Sequence, residues 1–233
     1  MLLVLASKWD EQAAQLVRSC EDTRLLTPDD LSVAGWIFRS SCPEEGVAVA
    51  ADECIPTREI TGVYTRLPCV MPHELLQIAP SDRDYVAAEM HAFLVAWLST
   101  LRCPVVNRPA PGYLAGPAWG PERWIWEAAR HGVPAVGLDR DSLSDKPLPP
   151  GGSVITVVGK AVLGTDEPQL SAYAAHLAEI ASVTALTAHF EKGRLQSASS
   201  CIDIDNEAIK RALLNHFAVR CSNHDDLVVG VTR

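Results

Sequence analysis

Between Ile60 and Val136 the chain alternates strand-length and helix-length apolar runs, and proline or glycine closes nearly every one. Ile60–Arg66 alternates, with Val63 and Tyr64 at its centre, and Pro68 stops it, so a strand is expected there. Pro80 then precedes Ser81, a natural N-cap, and Asp84 three residues on supplies a weak capping box. Val86, Met90, Phe93, Trp97 and Leu101 recur at helical spacing, which predicts a long helix with a wide apolar stripe that stops at Pro104. Val105-Val106 reads as a short buried strand, and Asn107-Arg108-Pro109 leads from it into a Pro/Gly loop reaching Gly120. Pro121 opens a second helix at the favoured first position, Gly132 and Pro134 close it, and Val133–Leu138 is expected as a further strand. The order predicts an α/β protein whose first part is an open sheet with flanking helices.

The flanking segments extend this pattern. Leu2–Ala6 is expected as a strand, followed by a helix near Trp9–Ser19 with Trp9, Ala13, Leu16 and Val17 on one face. Trp36–Phe38 and Val47–Ala51 are expected as short strands. Asp139–Gly152 is a linker by composition, rich in proline, glycine and charge. Beyond it, Val154–Val158 and Ala161–Leu163 flank Gly159-Lys160, which suits a tight hairpin. A helix over Glu167–Ala181 should point Leu170, Ala174, Leu177 and Ala181 inward, and Val183–Phe190 should pair with Leu195–Ala198. Asp203 or Asp205 is expected to cap a last helix carrying Ile209, Leu213 and Phe217, and Leu227–Val231 suits an edge strand. The expected organisation is an α/β domain over residues 1–138, a linker over 139–152 and a smaller α+β lobe over 153–233.

Composition removes several function classes. The net charge of −9, without a basic block, argues against an electrostatic nucleic-acid surface. No apolar run approaches the roughly 20 residues that span a bilayer. The start, with Lys8 and Asp10 directly after an apolar run, lacks a signal peptide's basic n-region. Seven cysteines, an odd number without a CxxC pair, suit reduced and mostly buried thiols in the cytoplasm.

Few residues stand out chemically. Arg66, Asn107 and Arg108 fall at expected C-terminal strand ends, where open α/β sheets place ligand crevices, and arginine suits a carboxylate or phosphate. Against that stands a local role: Asn107 caps the turn into Pro109 and the arginines are solvated. In an extended segment Asp203 and Asp205 share a face and, with Asn206, would suit a divalent ion, but Asp and Asn equally favour a helix N-terminus. The seven histidines show no metal-ligand spacing. Cys103 and Cys201 lack a flanking signature for a nucleophile and read as inert thiols. Trp119, Trp124 and Trp126 cluster, and the last two cannot face the same way on a helix.

Taken in series, Tyr64-Thr65-Arg66-Leu67-Pro68, Asp84–Glu89, Val106-Asn107-Arg108-Pro109 and Ala128–Pro134 resemble the N-terminal domain of ATP-grasp ligases that modify ribosomally made peptides. The later segments VITVVGKAVLG and LAEIASVTALTAHFEKGRLQ are similar to that family's last domain. The resemblance implies a two-lobed ATP-grasp-like fold. It also implies a central domain, with phosphate-contacting lysines, between Pro134 and Val154, where only about twenty residues stand, against a typical domain minimum of about 50. The family's last domain holds magnesium with carboxylates and a Glu-x-Asn pattern. The equivalent strand here reads Arg194–Ser200 (RLQSASS), and His189 stands where an acid is expected. Magnesium-bridged phosphates need hard anionic oxygens, so neither ATP nor magnesium is expected as a cofactor. The expectation is a catalytically degenerate relative that acts as a partner or scaffold subunit in peptide or natural-product modification. It would self-associate as a homo-oligomer or hold a modifying enzyme. The alternative is a small ATP- or carboxylate-binding ligase-type enzyme using the inter-lobe cleft.

Overall fold

Short, almost wholly apolar strands build a sheet that is buried on both faces. In the computed structural model, which describes residues 1–137 and 152–218, this sheet contains β1 (Leu2–Leu5), β2 (Thr23–Leu26), β5 (Gly62–Thr65) and β6 (Val105–Val106). The order is β2-β1-β5-β6, and every pairing is parallel. The helices α1 (Glu11–Ser19) and α2 (Arg83–Thr100) make the crossovers. A small hairpin of β3 (Val47–Ala50) and β4 (Glu53–Pro56) stands beside it. Leu3, Leu5, Val63 and Val105 point to one face, under Leu94, Trp97 and Leu98 of α2.

The second sheet is antiparallel, in the order β10-β9-β7-β8. Its strands are β7 (Ser153–Val158), β8 (Ala161–Leu163), β9 (Ala185–Glu191) and β10 (Arg194–Ser199). Gly159, at φ +57°, makes the turn between β7 and β8. The inward residues Ile155, Val157, Leu186, Ala188 and Phe190 pack under α4 (Pro168–Ile180) and also under Trp124 and Ala128 of α3 (Pro121–Arg130). α3 thus packs with the second sheet, although it precedes the expected linker.

A third apolar cluster joins the two sheets. Leu2, Val4, Tyr64 and Val106 from the far face of the first sheet meet Val158 and Ala185 of the second, with Ile209 and Leu213 of α5 (Glu207–His216) and Phe217 at its C-terminal cap between them. Gly62 permits this, because a Cβ there would collide with the Phe217 ring. The two lobes therefore share this cluster, beside the separate clusters under α2 and α4.

Several local expectations change. α1 starts after Asp10, whose Oδ1 accepts from Ala13 N at 2.9 Å, so Trp9 lies outside the helix and is 68% exposed. Ser81 does not cap α2: the flanking residue is Asp82, and Ser81 Oγ donates to its carboxylate. Trp36–Phe38 forms no strand, only a bridge from Ile37 to Val47, and Ala135 makes a single parallel bridge to Leu195. Asn206, not Asp203 or Asp205, caps α5 by accepting from Ala208 N and Ile209 N. Cys20 is disulfide-bonded, and Cys54 and Cys201 are exposed, against the expectation of reduced, mostly buried thiols. The expected strand at Leu227–Val231 and most of the linker lie outside the described residues. Among those residues, no helix is long and apolar enough to cross a membrane.

Candidate functional site

Parallel strands end together, so residues leaving β5 and β6 emerge on one side of the first sheet. Arg66 follows β5 and turns back into the seam between the lobes. Its Nε donates to Asp10 Oδ2 at 2.7 Å, and its other nitrogens donate to Gln12 Oε1, the Tyr64 hydroxyl and the Ile202 carbonyl. The side chain is only 9% exposed. Burial, partly offset by Arg66, pushes the Tyr64 phenol well above its ordinary range, so it stays a neutral acceptor.

Gln12 extends the network. Its Nε2 donates to Asp203 Oδ1 at 2.8 Å and to Asp205 Oδ2 at 2.9 Å. The two aspartates therefore converge as the sequence suggests, and a neutral amide stands between them. Asp203 Oδ1 also accepts from Asp205 N. Among the described residues, no group of three His, Cys, Asp or Glu side chains gathers to hold a metal ion.

Asn107, reached through a cis Val106–Asn107 peptide, is 2% exposed. Its Oδ1 accepts from Thr184 N (2.8 Å) and Ala185 N (2.7 Å), while Nδ2 donates to the carbonyls of Ala185 (2.9 Å) and Ser200 (3.1 Å). All four hydrogen-bonding positions of this amide are occupied by the second lobe's backbone. The adjacent Arg108 points elsewhere, donating to the carbonyls of Leu98, Leu101 and Cys103 at the end of α2. The ligand crevice expected at Arg66, Asn107 and Arg108 is thus not one site. Two of these residues tie the lobes together, and the third caps a helix. Asp10 and Gln12 complete the seam; Asp10 is legible as an N-cap, while nothing in the sequence marks Gln12.

Accessible chemistry lies at one end of the second sheet's face opposite α4. Strand register brings Thr156, Thr187, His189, Ser197 and Ser199 to that face, with His189 directly opposite Ser197 and Val154; Thr156 is buried, His189 and Ser197 are half-buried and Ser199 is exposed. Val154 is 49% exposed there, and the carboxylate of Glu191 stands at the strand end. Beside β10 a cavity of about 280 Å3 is lined by Tyr113, Trp119, Trp124, Ser199 and Ser200. Burial pushes the Tyr113 phenol and the Cys103 thiol upward, which disfavours the nucleophilic thiolate at Cys103. Of the clustered tryptophans, Trp124 is buried and Trp126 is 44% exposed, stacked between Arg123 and Arg130.

No family model and no curated protein matches the sequence. Solved structures do resemble the fold. The macrocyclase MdnC from Microcystis aeruginosa MRC, bound with precursor peptide MdnA, matches with a TM-score of 0.67 at 11% identity, over 94% of this chain and 99% of that one. The ATP-grasp ligase PsnB, complexed with minimal precursor, Mg and ADP, gives 0.64 at 12% identity, over 93% and 98%. A Chryseobacterium gregarium RiPP-associated ATP-grasp ligase, in complex with ADP and a leader and core peptide, gives 0.57 at 9% identity, over 93% and 96%. The α/β architecture is that of the ATP-grasp ligases.

Proposed function

We propose that this chain is a catalytically degenerate ATP-grasp-like protein that serves as a partner or scaffold subunit in the modification of ribosomally made peptides. The observation that carries the reading is the open face of the second sheet. Where the family resemblance implies an acid and a Glu-x-Asn pair, the matching positions hold His189 on β9 and Ser197 and Ser199 on β10, leaving the Glu191 carboxylate alone at the strand end. Imidazole and hydroxyl groups lack the hard anionic oxygens that a magnesium-bridged triphosphate requires. Residues 138–151, the stretch between the two described parts, are too few for a central domain of at least about 50 residues. A peptide-related role is supported by the fold neighbours, which were crystallised with precursor peptides. The partner is a protein, either a second copy of this chain or a peptide-modifying ligase.

Calorimetric titration with ATP and magnesium, run beside light scattering of the chain alone and mixed with a ligase and precursor peptide from the same genomic neighbourhood, tests this. The expected result is no heat from nucleotide, together with a dimer or a co-migrating complex. Magnesium-dependent ATP binding, or a strict monomer that ignores both partners, overturns it.

A further inference from the structure

On the other side of the second sheet's edge, β8 and α5 border a groove of about 630 Å3, within the range of roughly 300–1,000 Å3 that small-molecule sites occupy. Its floor is apolar: Val158, Ala161 and Leu163 from the hairpin, Ala208 and Ala212 from the helix. Its rim carries Lys160, Arg211, Asn215 and His216. The His216 ring lies against the hairpin turn, with Nδ1 only 2.7 Å from where a Cβ on Gly159 would stand. That contact sets the helix end directly against the hairpin turn.

Three of the rim groups are unoccupied by the described residues. The side chains of Lys160, Arg211 and Asn215 make no hydrogen bond or ion pair with any described residue. The neighbouring Lys210 is different, because it is paired with Glu207 at 2.5 Å. That pairing leaves Glu207 engaged and Arg211 without a counter-ion among the described residues. Two cations facing an apolar trough, on a chain of net charge −9, form a local inversion of the molecule's field. A guanidinium and an ammonium lining one groove match the oxygens of a carboxylate or phosphate head.

We propose that this groove binds a small amphiphilic anion, with its apolar body on the alanine and leucine floor and its carboxylate or phosphate head between Lys160 and Arg211. The site shares no residue with the polar network of Arg66, Gln12 and Asn107, though Val158 of its floor also belongs to the apolar cluster that joins the lobes, and it does not depend on the scaffold role.

The probe is 8-anilinonaphthalene-1-sulfonate, which joins an apolar body to an anionic head. Saturable fluorescence enhancement is expected on the wild-type chain. Lys160→Ala/Arg211→Ala should weaken it at least about tenfold, as loss of two charge-assisted contacts implies. Ala212→Trp, which fills the floor, should abolish it. Octanoate or octyl phosphate should displace the probe and octanol should not; the stronger of the two anions identifies the head group. Unchanged affinity in the double variant overturns the proposal. So does displacement by octanol as effective as by the anions, or loss of the signal in Leu76→Ser, which alters an exposed apolar residue elsewhere.

Discussion

Asn107 shows how much a single buried amide can hold. It satisfies two backbone donors and two backbone acceptors that would otherwise end at the lobe boundary. Asn107→Ala removes those partners and leaves buried N–H and C=O groups unmatched, each costing about 1–3 kcal/mol. The expected loss is about 3 kcal/mol, read as a lower urea midpoint; a loss below about 0.5 kcal/mol would contradict the stapling role. Asn206→Ala should cost about 1 kcal/mol by removing the cap of α5, measured in the same assay. The sequence marks Asn107 through its place before Pro109, but not its partners. Those lie 78 and 93 residues further on, and no local rule reaches that far. Asp203 and Asp205 are legible as a polar helix entry, yet their shared donor, Gln12, sits in another lobe.

At the scale of elements, local signals were strong where punctuation was strong. Pro121 and Gly132 bound α3, and Gly159-Lys160 turns the hairpin, as their chemistry dictates. Trp36–Phe38 fails as a strand because its apolar side chains serve another need: Trp36 packs edge-on against Phe93 and Trp97 of α2. On the same helix, both ring nitrogens of His91 are buried without a partner, and burial holds its pKa below the ordinary imidazole value. The folded state thus favours the neutral ring. Its contribution is fully present above the ordinary imidazole range and is lost as pH falls through the depressed folded value, because the unfolded chain binds the proton first. His91→Leu should raise stability by about 1 kcal/mol at pH 7.5 and flatten the fall in urea midpoint toward pH 5. A parallel decline in variant and wild type would show that His91 does not contribute.

For the whole molecule, the decisive feature is the apolar cluster that closes the gap between the sheets. Composition and periodicity identify Ile209, Leu213 and Phe217 as the inner face of α5, but cannot say which sheet they meet. They meet both. A chain with two lobes around separate cores would unfold in two steps; one with a common core should unfold in one. Far-UV circular dichroism and tryptophan fluorescence should therefore give coincident urea transitions. Gly62 is the sensitive position, because any side chain there pushes Phe217 off the first sheet. Gly62→Ala should cost about 1–3 kcal/mol, as overpacking does, while Gly137→Ala, where an added Cβ meets open space and the backbone is not in the left-handed region, separates the effect of collision from that of glycine loss alone. If Gly62→Ala leaves the midpoint unchanged, or the wild-type transitions separate, α5 does not weld the lobes. The same weld bears on the proposed role, since lobes locked by Phe217, Arg66 and Asn107 suit a rigid surface offered to a partner.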